Sequence, residues 1–139
     1  MILLQREAYT VEEVIDILRS LMHQIPYHEV YYKLKQYRVK RFRPQTVEVL
    51  RCCIALHQAG FPITVGLVCE ILNKKYNDIA PILHTLGDKH VLLLKRKPYE
   101  AGFYYANPLY RRSVLEWTLH PAFLKHFEKQ KERDSNAIV

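Results

Sequence analysis

The chain has 139 residues, 49% of them hydrophobic and 12% aromatic, with 21 Lys+Arg against 14 Asp+Glu. That length suits one domain, which can bury about two-thirds of its unfolded surface, so neither metal nor disulfide is required for folding. Composition excludes global disorder, and apolar runs such as Val91–Leu94 stop far short of the ~18 residues of a membrane span.

In Met1–Glu7 no basic stretch precedes the apolar residues, so no signal peptide is expected. Thr10-Val11-Glu12-Glu13 has the form of a capping box, in which hydroxyl and carboxylate satisfy each other's backbone donors. Val11, Val14, Ile15, Leu18 and Met22 then recur at helical spacing until Pro26. A second helix is expected over about 27–37, with Tyr27, Val30, Tyr31 and Leu34 on one face. It runs into Lys33, Lys35, Arg38, Lys40, Arg41 and Arg43, and Pro44 closes the segment and is a candidate start of the next helix.

From Thr46 to Ala59 the apolar face is Val47, Leu50, Cys53 and Ile54, and Gly60 ends it. Phe61-Pro62-Ile63 reads as a short extended link, because the residue before proline is pushed towards β. Thr64 caps a helix carrying Val65, Val68, Cys69 and Leu72, and Asn73-Lys74-Lys75 forms a turn. The next helix covers 76–88 and buries Ile79, Ile82, Leu83 and Leu86. Two β-prone runs, 91–97 and 103–106, bracket a Pro/Gly turn and predict a hairpin over 91–106. Asn107-Pro108 has the chemistry of a helix start, and a final helix through Leu109, Val114, Leu115, Trp117, Phe123 and Phe127 is expected, interrupted at Pro121. A polar tail follows from Lys129. The fold class is therefore mainly α with one small β-hairpin.

Charge is unevenly spread. Residues 33–112 hold fifteen Lys/Arg against five Asp/Glu, whereas 1–32 are net acidic and 113–139 are balanced. A basic middle of this kind points to a polyanionic partner, nucleic acid above all. Cys52, Cys53 and Cys69 are odd in number and two are adjacent, which argues against a disulfide framework and for a reducing, intracellular setting. Cys53 and His57 lie four apart, but zinc needs about four ligands and no second such pair follows, so no metal is expected. No Gly-rich phosphate loop, carboxylate pair or Ser/His/Asp arrangement stands out. Neither enzymatic activity nor a cofactor is expected.

Helix, short strand, helix, turn, helix and hairpin is the order of a winged helix-turn-helix. Val68-Cys69-Glu70-Ile71-Leu72 and Leu83-His84-Thr85-Leu86-Gly87-Asp88-Lys89-His90-Val91-Leu92 together resemble the core of MarR- and ArsR-type regulators, with His90 where a glycine is common. The resemblance covers about 46–107, leaving N-terminal helices and a basic segment over 1–45 and a C-terminal helical segment over 108–139. It implies a transcriptional regulator that binds double-stranded DNA as a homodimer, paired through the apolar helices at both ends. The recognition helix would be 76–88 and the wing 91–106.

Two features depart from that family. Pro81 lies inside the recognition helix, and 76–88 contains Asp78 and Asp88 but no Lys or Arg. With Leu83 buried, the outward face is Asn77, Asp78, Pro81, His84, Thr85 and Asp88. The candidate DNA contacts are therefore of two kinds. Asn77, His84 and Thr85 can meet base edges, whereas Lys74, Lys75, Lys95, Arg96, Lys97, Arg41 and Arg43 can meet phosphates. A rival reading is a winged-helix interaction module whose helix face docks a protein partner while the basic patch binds nucleic acid without sequence preference.

Overall fold

Thr10 opens the first helix in the way its neighbours dictate. The Glu13 N–H donates to the Thr10 hydroxyl at 3.1 Å, and the Thr10 N–H donates back to the Glu13 carboxylate at 3.5 Å. The computed structural model describes residues 10–37, 43–96 and 115–125. Its helices are α1 (Val11–His23), α2 (Tyr27–Gln36), α3 (Pro44–Gln58), α4 (Val65–Leu72) and α5 (Tyr76–Asp88). Two strands follow, β1 (Leu92–Arg96) and β2 (Leu115–Leu119), and residues 121–125 are again helical (α6).

The third helix is the hub. Pro44 starts α3 at a position where its missing N–H costs nothing. Val47, Val49, Leu50, Cys52, Cys53, Ile54, Ala55 and Leu56 are all buried, so α3 is enclosed on nearly every side. Its neighbours account for this: α1, α2, α4, α5 and β2 all pack on it. A helix that is apolar around its circumference belongs at a core centre. Burial also pushes the Cys52 thiol well up, and the Cys53 and Cys69 thiols up, from the ordinary range. They stay protonated at neutral pH and act as small hydrophobes.

Two arginines tie the helices end to end. Arg19 of α1 donates through Nε to the Ile71 carbonyl (2.9 Å) and through Nη2 to the Glu70 carbonyl (3.0 Å), meeting the end of α4. Arg51 of α3 donates to the Ile25 carbonyl (2.9 Å) in the α1–α2 turn and pairs with Glu48 at 2.8 Å. A cation at a helix C-terminus satisfies carbonyls that lack an intrahelical donor and faces the negative end of the dipole.

The sheet differs from the sequence expectation in which segments pair. β1 runs antiparallel to β2, with Leu92 opposite Leu119, Leu94 opposite Trp117 and Lys95 opposite Glu116. Leu115–Leu119 is therefore strand, where the sequence reading expects the final helix. The reason is its period of two: Trp117 and Leu119 are buried, while Glu116 and Thr118 between them are partly exposed. The expected second strand, 103–106, lies outside the described residues. A third segment joins on the far side of β2, where Ile63 bridges to Trp117 and accepts the Trp117 N–H at 2.8 Å. The described order is helix, bridge, helix, turn, helix, strand, strand, and residues 97–114 separate β1 from β2 in the chain.

Proline 121 starts a helix rather than interrupting one. His120 caps it, accepting the Ala122 N–H on Nδ1 at 3.1 Å, and its carbonyl accepts the Leu124 N–H at 3.0 Å. The apolar stripes expected to pair two chains are used within one chain. Val14, Ile15, Leu18 and Met22 of α1, with Trp117 and Phe123, are buried in the same core. Leu115 is half-buried against it, and Phe127 lies outside the described residues.

Candidate nucleic-acid interface

The Thr64 hydroxyl accepts the Leu67 N–H at 3.2 Å and starts α4, while Asn73 ends it in the left-handed conformation (φ 54°). Asparagine tolerates that conformation better than most residues. The reversal at Asn73 sends the chain out through Lys74 and Lys75 into α5. From Asn73 to Asp78 every residue is exposed. The α5 N-terminus thus faces solvent with two lysines at its entry.

Ile79, Ala80, Leu83 and Leu86 bury one face of α5 against α3, α4 and β1. Asn77, Asp78, Pro81, His84, Thr85 and Asp88 are all exposed, as the helical spacing predicts. α5 runs through Pro81 without a break in its assigned residues. Proline deprives the Asn77 carbonyl of its usual intrahelical donor, but that carbonyl lies on an exposed turn where water serves instead. Asp78 sits in the first turn of a helix whose N-cap residue, Lys75, makes no side-chain cap bond, and there its charge favours the helix dipole.

Two of the expected base-reading residues already have a local contact. The His84 ring meets the Trp117 ring edge-on, with centroids 5.4 Å apart at 84°. The Thr85 hydroxyl donates to the Pro81 carbonyl at 2.9 Å, leaving its oxygen as an acceptor towards solvent. Asn77 lies two residues beyond Lys75, in the first turn of α5, and His84 about two turns beyond Asn77. No family model, curated protein or solved structure matches this chain.

The phosphate-binding set is more dispersed. Lys74 and Lys75 adjoin α5, and Lys95 is exposed on β1, which packs against α5. Glu116 stands directly opposite Lys95 across the ladder and competes for its charge. Arg96 is the last residue of β1, opposite Leu115 in register. Arg43 is exposed at the start of α3, on a different element from the other cations. Arg41 and Lys97 lie outside the described residues.

Two further exposed residues sit at the two ends of α5 and were not among the expected contacts. Tyr76 is 61% exposed at the first position of α5, and Lys89 is exposed at its C-cap. Lys89 was legible in the sequence as the first cation after the helix. Tyr76 lies seven residues before Leu83, on the same side as the buried residues, and its exposure follows from its place at the very start of the helix, ahead of Ile79, the first buried residue of α5. Among the described residues no group of three or more His, Cys, Asp and Glu could hold a metal ion, and no helix is long and apolar enough to cross a membrane.

Proposed function

We propose that this chain is a DNA-binding regulator of the winged-helix kind, resembling MarR- and ArsR-type regulators, with α5 as its reading helix. The observation that carries the reading is the presentation of α5. Asn77, His84 and Thr85 share one exposed face, Lys74 and Lys75 precede it, and Lys89 follows it. Asparagine can bond adenine through two hydrogen bonds in the major groove, and His84 is oriented by the Trp117 edge contact. Because α5 itself brings no cation, affinity comes from its flanks and from the β1–β2 connection. The free cysteines suit a reducing compartment and so support an intracellular setting.

A two-fold dimer, as the resemblance implies, needs a surface other than the α1 stripe. Each copy would present one α5 to one half-site. The test is selection from a random duplex pool, followed by competition with unrelated duplex. A regulator holds its selected site roughly 10³-fold or more tighter than random sequence. Equal affinity for all duplexes overturns the proposal.

One observation favours the rival reading. The exposed face of α5 carries Asp78 and Asp88, no cation, and the apolar surface of Pro81. Such a face suits a protein surface better than a phosphate backbone. Under this reading the selection yields no preferred site, and charge-reversing Asp78 and Asp88 leaves DNA affinity unchanged or increases it uniformly.

A further inference from the structure

The second helix carries an aromatic surface that neither the core nor the α5 interface accounts for. Tyr27, Tyr31 and Tyr37 are partly buried and pack on the core, which explains their side chains. Tyr32 is different, being 61% exposed. Its ring stands edge-on to Tyr31, with centroids 5.7 Å apart at 84°. Tyr31 is itself held: Tyr27 lies nearly parallel to it at 6.5 Å, and the Lys35 ammonium sits 5.2 Å from its ring centre. The column Tyr27, Tyr31, Lys35 follows the i, i+4, i+8 ridge of the helix.

That column fixes two things beside the Tyr32 ring. Tyr31 supports the ring on one side, which leaves it less freedom to lose on binding. Lys35, three residues on, is exposed and lies on the same side of the helix as Tyr32. One turn before Tyr32, His28 is also exposed and adds a second flat ring to the same stripe. Between Glu29 and Glu48 the sequence holds six Lys/Arg and no acid, a run that favours an anionic partner for this segment of the chain. Flat rings beside a cation, in such a run, match a polymer of anionic links and stackable bases.

We propose that the His28–Tyr32–Lys35 stripe of α2 binds unpaired nucleotides, one base stacking on Tyr32 and an adjoining phosphate meeting Lys35. A duplex keeps its base faces stacked inside and cannot offer them to Tyr32, so this activity goes beyond duplex reading by α5 and does not rest on it. Stacking is tolerant of base identity, because every base has a π face. The stripe is therefore a sequence-independent site. Either single-stranded DNA or single-stranded RNA supplies this chemistry.

The experiment is fluorescence anisotropy of labelled oligothymidine and oligouridine, each about twelve nucleotides long, with the full chain. Binding of either is expected, and the tighter of the two names the natural strand. Tyr32→Ala should weaken binding by about fivefold to a hundredfold, the span measured for loss of one base–aromatic stack. Tyr32→Trp should restore it, and Lys35→Gln should lower the salt slope of log K by about 0.7. Tyr32 is exposed, so the Ala variant should keep the wild-type melting curve, which circular dichroism checks. Its affinity for a selected duplex should not change, which separates this site from α5. The proposal is overturned if neither oligonucleotide binds, or if Tyr32→Ala binds both as wild type does.

Discussion

If phosphate contacts around α5 supply affinity, removing Lys74 and Lys75 must change how binding responds to salt. Four described cations flank the helix and are exposed: Lys74, Lys75, Lys89 and Lys95. Each phosphate neutralised on a duplex contributes about 0.9 to the slope of log K against log salt. Four contacts give a slope of about −3.6, so raising salt from about 50 to about 200 mM should cost about 150-fold in affinity. The Lys74→Ala/Lys75→Ala variant keeps two contacts, a slope of about −1.8 and a loss of only about twelvefold over that range. Both lysines are fully outside the core, so the variant should fold normally. Anisotropy titrations of one duplex at several salt concentrations measure both slopes. If the slopes of the two proteins coincide, the entry to α5 does not touch phosphate and the docking geometry is wrong.

Asn77→Ala and His84→Ala should act differently, relaxing preference at one or two base pairs by about 1–3 kcal/mol each while leaving the salt slope unchanged. Competition against single-base variants of a selected site reads this, and uniform binding to all variants would show that α5 reads nothing. His90 has φ 61°, a conformation that favours glycine, so His90→Gly should stabilise the fold by about 0.5–1 kcal/mol in chemical denaturation. No gain there would mean that the His90 side chain contributes as much as its backbone costs. Leu18 is fully buried among α1, α3 and α4, so Leu18→Ala should cost about 2–5 kcal/mol of stability. A folded Leu18→Asp variant at wild-type stability would contradict the buried position of this stripe.

Much of this architecture was legible because helix signals are local. The Thr10–Glu13 capping box, Pro44 at a helix start and the Thr64 cap each act within one turn, and each appears where the residues place it. The outward face of α5 was legible for the same reason, since burying Leu83 dictates which positions point away. The strand β2 was not. Leu115, Trp117 and Leu119 alternate, but Leu109, Val114, Leu115 and Phe123 also satisfy a helical spacing. Only pairing with Leu92–Arg96, some twenty residues back in the chain, decides between the two periods. The stripe of α1 was legible as apolar, but its partner was not. Amphipathicity states that a face must be covered and leaves open whether the cover is the same chain.

Charge shows the same gap between composition and surface, and it bears directly on function. The fifteen cations of 33–112 invite a broad phosphate-binding face, yet their positions divide the work. Lys33 is buried beside Glu29 on α2, and desolvation pulls its ammonium below the ordinary lysine range. Arg51 is spent on Glu48 and on the α1–α2 turn. Lys95 faces Glu116. What remains beside α5 is a pair at its entry, one lysine at its exit and Lys95 opposite Glu116, bracketing a helix face that is itself weakly acidic. On such a surface, attraction and discrimination cannot come from the same side chains. Under the proposed function the lysines bring a duplex to the helix ends, and Asn77, His84 and Thr85 act only once Asp78 and Asp88 are kept from the phosphates. Asp78→Asn and Asp88→Asn together should therefore tighten binding to every duplex and narrow the gap between selected and unrelated sites. Tighter binding with an unchanged ratio would place the two carboxylates outside the groove.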